Sequence, residues 1–483
     1  MTDVAEARDK RWIALILLCS AQFVVVLDAS IVNVALPTIG KALDFSQENL
    51  PWVVNAYVLT FGGFLLLGGR TADLLGRRRV FMAGLLLVAV ASLAAGFAAT
   101  EGQLIAARAA QGLGAAIISP AALSIVTTTF SDGSERNKAL GVWGAVAGSG
   151  GAAGVLLGGI LTDGLGWEWV LWVNVPVSLI AFALSPRLLA ETRAESETHV
   201  YDVAGAITVT AGLSTLVYAL VDANNAGWGS TQTIGLIALS VLLLAAFVVI
   251  ELRASKPLVP FSIFRIRTLT GANVVGLLVG ASLFSMFFFI SLYMQQVLGY
   301  SAIHAGLSYL PLALVIMASA GIASQLVTKL GYKPVLAAGL LFIVIGLAWF
   351  SRVSVGGSFT TDILGPSLFA AAGLGFAFVT TTIAAVSGVE EKEAGLASGL
   401  INTSQQIGGA LGLAVLSAVA ISATDNAAPG SDQLSALTDG FRAAFLGGSL
   451  IAMLGFVLTL VLIRGSDSRA HVELGNDAAA ESA

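Results

Sequence analysis

The sequence predicts an all-α integral membrane protein of fourteen spans, in which two six-helix bundles flank two additional helices. Three observations carry that prediction. Of the 483 residues, 57% are hydrophobic and 11% charged, and the mean hydropathy is +0.89; soluble domains carry about 25% charged residues. Apolar runs of membrane-crossing length, about 20 residues, recur along the whole chain. A turn also repeats at equivalent places in the two halves: G-G-R-T-A-D-L-L-G-R-R-R-V after the second span and A-S-Q-L-V-T-K-L-G-Y-K-P-V after the tenth, with Gly76 matching Gly331 and Arg78 matching Lys333. Parallel repeats around a shared site are a common transporter plan.

Taken in order, the first six spans are 12–36, 51–69, 80–99, 103–130, 139–161 and 169–189. Two more, 203–221 and 233–250, are left over in the middle. The last six are 269–298, 302–327, 334–350, 363–389, 394–423 and 441–463. The domains expected from this are a cytoplasmic N-terminus (1–11), a first bundle (12–190), a linker carrying the added pair (191–268), a second bundle (269–464) and a disordered tail (465–483). The basic start, Arg8, Lys10 and Arg11, resembles that of a signal peptide. The apolar run behind it exceeds a signal's h-region of about 7–15 residues and lacks an A-x-A, so it is expected to be retained as a span.

Basic residues orient the chain. With both termini inside, all of the 24 basic residues except Lys41, Arg108, Arg352 and Arg442 fall on the cytoplasmic side. Removing one helix would reverse every later loop, so an even number of spans is required. A net charge of -5 argues against a nucleic-acid partner. The single cysteine, Cys19, can close no disulfide within the chain. His199, His304 and His471 are scattered, with no metal-ligand spacing, and there is no G-x-x-x-x-G-K-[ST] phosphate loop. No paired acids and no nucleophile with its base stand out, so an enzyme, a metal and a cofactor are not expected.

Asp28 lies inside the first apolar run. A charge in hydrocarbon costs at least about 2.5–3.5 kcal/mol, so its carboxylate is expected to face a cavity, where it can bind and release a proton. Arg108 falls within the fourth span, and it stays charged. Asp28 and Arg108 lie at similar depths from the outer ends of their helices. The pair is therefore expected to couple, Arg108 favouring the ionised acid.

Seven stretches carry a family resemblance. G-R-T-A-D-L-L-G-R-R-R-V, from Gly69 to Val80, resembles the major facilitator superfamily motif between helices two and three. The resemblance implies that Gly69, Asp73, Gly76, Arg77 and Arg78 form a latch of ion pairs that breaks during transport. R-A-A-Q-G-L-G-A-A, from Arg108 to Ala116, resembles that family's fourth-helix motif. G-S-G-G-A-A-G-V-L-L-G-G resembles its fifth-helix antiporter motif at Gly150, Gly154, Gly158 and Gly159, with Val155 where the motif has proline. V-L-D-A-S-I-V-N-V-A-L-P resembles the first helix of the fourteen-span drug:proton antiporter branch, as do W-V-V-N-A-Y, W-V-L-W-V-N-V-P and, after Lys256, P-L-V-P-F-S-I-F-R.

What the resemblance implies is a major facilitator fold in a bacterial cytoplasmic membrane, exporting hydrophobic or cationic small molecules in exchange for protons, as a monomer. Broad drug export and export of one endogenous product both fit. Candidate cavity residues are Asn33, Asn55, Tyr57, Gln111, Gln295, Asn402 and Gln405. Met286, Phe287, Phe288, Phe289 and Tyr293 read as a lipid-facing stripe in preference to a cavity wall. Asp202 and Asp222, at the two ends of the seventh span, are expected to be solvated.

Overall fold

The computed structural model describes residues 2–45, 49–50, 52–130, 134–192, 202–254, 257–390, 393–427, 432–469 and 472. Sixteen α-helices run in the order α1 (Thr2–Ala42), α2 (Trp52–Leu75), α3 (Arg77–Gly96), α4 (Glu101–Thr129), α5 (Ser134–Gly164), α6 (Trp169–Trp172), α7 (Asn174–Leu188), α8 (Val203–Ala226), α9 (Thr231–Arg253), α10 (Arg267–Leu292), α11 (Ala302–Ser308), α12 (Leu310–Leu330), α13 (Tyr332–Phe350), α14 (Gly365–Val386), α15 (Ala394–Asp425) and α16 (Gln433–Leu462). Among the described residues, 13 helices are long and apolar enough to cross a membrane. Counting the two arms of α5, Ser134–Gly151 and Ala153–Gly164, bent by 43°, as one span gives fourteen. The motif proline missing at Val155 is thus not needed for a bend. Gly150 and Gly151 lie beside the break, and glycines are a usual cause of kinks.

The helices obey one pairing rule twice. In the first bundle α1 packs on α5 and α7, α2 on α4, and α3 on α4 and α7. In the second, α10 packs on α15 and α16, α12 on α14, and α13 on α14 and α16. The repeated turn has the same geometry in both halves. Gly76 and Gly331 have φ of 105° and 80°, values that favour glycine, and each immediately precedes the next helix. Between the bundles, α2 packs on α15 and α5 on α12. The added pair, α8 and α9, is a hairpin whose α8 leans on both α2 and α15.

Helix caps follow from local sequence. Thr100, Asp202, Ser230 and Asp432 each accept a backbone N–H three residues on, at the starts of α4, α8, α9 and α16. Two spans carry a π-helical turn, at Tyr293–Val297 and Phe359–Leu364.

Three expectations need correction. Met286, Phe289 and Tyr293 are buried, and Phe289 and Tyr293 pack against Phe441 of α16; Phe288 alone of the run is an exposed ring, and Phe287 stacks on Tyr309. Residues 465–469 form a helical turn, not a disordered tail, and Ser468 accepts the Lys333 N–H at 3.1 Å. Residues 473–483, with Arg193, Lys256, Lys392 and His471, lie outside the described residues. The third correction concerns Asp202, whose Oδ2 is buried and not solvated.

Candidate functional site

The first bundle closes around a polar cluster drawn from five helices. α1 supplies Asp28, α4 Arg108 and Gln111, α3 Ser92, α7 Asn174 and α2 Tyr57; every one of these side chains is at most 2% exposed. Arg108 Nη1 donates to Asp28 Oδ2 at 2.6 Å. Asp28 Oδ1 accepts from Asn174 Nδ2 at 2.5 Å and from Gln111 Nε2 at 3.2 Å. Arg108 also donates from Nε to the Val53 carbonyl at 2.8 Å and from Nη1 to Gln111 Oε1 at 2.9 Å, and its guanidinium sits 4.6 Å from the centre of the Tyr57 ring. Gln111 Nε2 reaches Ser92 Oγ at 2.7 Å, and the Tyr57 hydroxyl donates to the Val25 carbonyl at 2.8 Å.

Three side-chain donors, two from α4 and one from α7, converge on one carboxylate. Charge-assisted bonds of this kind are roughly twice as strong as neutral ones. A carboxylate in an apolar run can lie against lipid or face a cavity wall. The structure uses a third place, the bundle interior, where a guanidinium and two amides replace water. Tyr57 and Gln111, expected on a cavity wall, belong to this cluster instead. Asn174 and Ser92 were not singled out by sequence. Asn174 was visible only as an amide in the apolar stretch W-V-L-W-V-N-V-P.

The glycines of α5 hold α1 in place. A side-chain carbon at Gly150 would stand 2.8 Å from Val26 Cγ1, and one at Gly158 would stand 2.6 Å from the Ile31 carbonyl. Gly154 faces Ser30, so Gly150, Gly154 and Gly158 together appose the turns of α1 that carry Asp28. Close approach of this kind is what small residues provide between membrane helices. Gly159 faces elsewhere, towards Ile303 of α11.

A second cluster sits where α2 meets α15, at the end of the molecule bearing Arg70 and Arg77–Arg79. Asp73, fully buried, pairs with Arg77, the first residue of α3 (Nη2 to Oδ1, 3.0 Å). It also accepts the backbone N–H groups of Gly395 and Leu396 at 3.2 and 3.0 Å. Those N–H groups open α15, whose own N-cap Glu393 makes no side-chain cap. Asp73 therefore caps a helix of the other bundle, and a carboxylate there also meets the positive end of the helix dipole. Gly69 allows the approach: a side-chain carbon on it would lie 2.6 Å from the Gly395 carbonyl.

Arg78 and Arg79 play another part. Both face Glu191, at 3.5 and 3.6 Å, and Arg78 Nη1 donates to the Leu189 carbonyl, so they tie α3 to the end of α7 within one bundle. The repeat completes the seam. Thr328, which occupies the place of Asp73 in the second turn motif, accepts from Asn137 Nδ2 at 2.9 Å in the first turns of α5.

The remaining cavity candidates are dispersed. Asn33 is exposed and bonds its own helix at Ala29, and Asn55 is half-buried. Gln295 is exposed and reaches Ser291. Asn402 bridges the bundles, accepting from Ser119 Oγ at 3.4 Å. Gln405 is 6% exposed with an unpartnered Nε2.

A model of the Major Facilitator Superfamily matches residues 18–413. A cephamycin export protein (CmcT) of Amycolatopsis lactamdurans is 41% identical over 452 residues, covering 93% of this chain and 92% of the relative. A puromycin resistance protein (pur8) of Streptomyces alboniger is 38% identical over 468 residues, covering 95% and 92%. Among solved structures, a crystal structure of the human organic anion transporter MFSD10 superposes with a TM-score of 0.65 at 16% identity, covering 93% of this chain and 99% of that one.

Proposed function

Because this chain belongs to the major facilitator superfamily, we propose that it exports drug-like or antibiotic small molecules across a bacterial cytoplasmic membrane in exchange for protons. The observation that carries the reading is the buried Asp28–Arg108 pair inside a chain of which two relatives, matched over 93% and 95% of it, are named for antibiotic export and resistance. The end bearing Arg70 and Arg77–Arg79 is cytoplasmic on this reading, with both termini inside.

On this reading Asp73 on α15 and Asn137 on Thr328 close the cytoplasmic end. Arg108, Asn174 and Gln111 all donate to the Asp28 carboxylate. A proton can occupy Asp28 only as these donors withdraw, so the rocking of bundle 12–190 against bundle 269–464 and the protonation of Asp28 are linked events. One proton entering down 100 mV releases about 2.3 kcal/mol from the voltage alone. That energy is used for export if Asp28 is empty while substrate is held and protonated when it is released.

The latch has its own expected result. Charged hydrogen bonds contribute about 1.5–3 kcal/mol each, and about 1.4 kcal/mol is tenfold in a population. Asp73→Asn should therefore raise the open population roughly tenfold or more. Ala397 is buried at this seam and the only native thiol, Cys19, is buried too. Maleimide labelling of an Ala397→Cys variant should speed up by that factor when Asp73→Asn is added; an unchanged rate would remove Asp73 from the latch.

A second reading, export of a single product, rests on the two relatives above, each named for one antibiotic. Efflux of a panel of dyes and antibiotics, with and without a protonophore, decides between them. Protection against many unrelated compounds, lost with the protonophore, supports broad proton-driven export. Protection confined to one compound supports the second reading, and efflux indifferent to the protonophore refutes proton coupling.

A further inference from the structure

The added hairpin carries two carboxyls that the transport reading does not use. Glu251 lies in the last turn of α9 and is 3% exposed. Its Oε2 accepts the Val259 N–H at 3.0 Å. Asp202 is the N-cap of α8, and its Oδ1 accepts the Gly205 N–H at 2.7 Å. The other two oxygens, Glu251 Oε1 and Asp202 Oδ2, are buried and have no donor among the described residues. They converge on one spot. A side-chain carbon on Gly205 would stand 2.5 Å from Glu251 Oε1 and 2.7 Å from Asp202 Oδ2, so glycine is what leaves room for both.

Two ionised carboxylates facing each other without a donor repel and leave two buried acceptors unsatisfied. A single shared proton turns the same geometry into a donor–acceptor pair. The helix ends decide which group carries it. Asp202 sits at the positive N-terminus of α8, which favours a carboxylate; Glu251 sits near the negative C-terminus of α9, which disfavours one. The charged groups acting on Glu251 are Asp202 and Arg70 of α2, and Arg70 is itself within 3.4 Å of the Pro257 carbonyl.

We propose that Glu251 and Asp202 form a second proton-binding site, separate from Asp28, in which one proton resides on Glu251 Oε1 and is donated to Asp202 Oδ2. A cleft of about 600 Å³ between α2 and α8, lined in part by Arg70, Asp202, Thr210 and Pro257, borders it. Loss of the proton leaves two facing carboxylates beside Arg70, three positions before the latch residue Asp73 on the same helix. The two added helices thus place a proton site next to the seam between the bundles.

The test needs no transport, so its outcome is independent of the export reading. Infrared spectra of the full-length protein in lipid nanodiscs at neutral pH should show the C=O stretch of a protonated carboxylic acid. Glu251→Gln should remove that band, Asp202→Asn should remove it by letting Glu251 ionise against an amide donor, and Asp28→Asn should leave it. A band unchanged in Glu251→Gln would overturn the proposal. Thermal unfolding supplies the second readout. Gln at this position donates the same bond as the protonated acid, so Glu251→Gln should melt like the unsubstituted protein at neutral pH, whereas Glu251→Ala should melt lower. A Gln variant as destabilised as the Ala variant would also overturn it.

Discussion

Asp28→Asn is expected to abolish energised export while leaving the protein folded and in the membrane. Asn keeps the volume of the carboxylate; its one oxygen can keep the Arg108 bond, and a flip of Asn174 presents that residue's unpartnered Oδ1 to the new NH2 group, so the cluster loses charge and not volume. It can neither bind nor release a proton. Export driven by an imposed pH gradient in reconstituted vesicles should fall to the level of empty vesicles, and substrate exchange without a gradient should persist. Energised export at an undiminished rate would remove Asp28 as the coupling group.

Arg108→Ala is expected to have the second largest effect, on stability and on pH dependence together. Removing one partner of a buried ion pair leaves an uncompensated charge and costs about 3–5 kcal/mol. Asp28 meets this cost by taking up a proton, because the cation that favoured its ionised form is gone while Asn174 and Gln111 remain. The pH at which substrate binding falls away should therefore move upwards relative to the unsubstituted protein. Arg108→Lys should recover only part of the effect. An ammonium cannot serve Asp28, Gln111 and the Val53 carbonyl at once from the planar fork that Arg108 uses. A titration of substrate binding identical in all three proteins would show that Arg108 has no influence on Asp28.

The parts of this account that were legible in the sequence are those with a strong energetic penalty behind them. A charge in an apolar run must be partnered, so Asp28 and Arg108 could be matched by depth alone, and they meet at 2.6 Å. Apolar length marks the spans, and the turn repeat marks the two halves down to the positive φ of Gly76 and Gly331. Asn174 and Ser92 were hidden because small polar residues occur throughout membrane helices and only tertiary packing decides which of them meet a carboxylate. The partner of Asp73 was hidden for another reason: it is the backbone of Gly395 and Leu396, and N–H groups at a helix start leave no side-chain signature. In the aromatic run, consecutive rings point all round α10. Only Met286, Phe289 and Tyr293, spaced by three and four, share the face turned inwards. Burial of the second oxygen of Asp202 required knowing that α9 returns Glu251 to the start of α8.

The central claim is that substrate and proton compete for Asp28. Calorimetry or a pH-indicator dye in weakly buffered solution can count the protons released when a transported compound binds the purified protein at mildly acidic pH. The account predicts about one proton released per substrate bound and none from Asp28→Asn. Equal release from both proteins would contradict it.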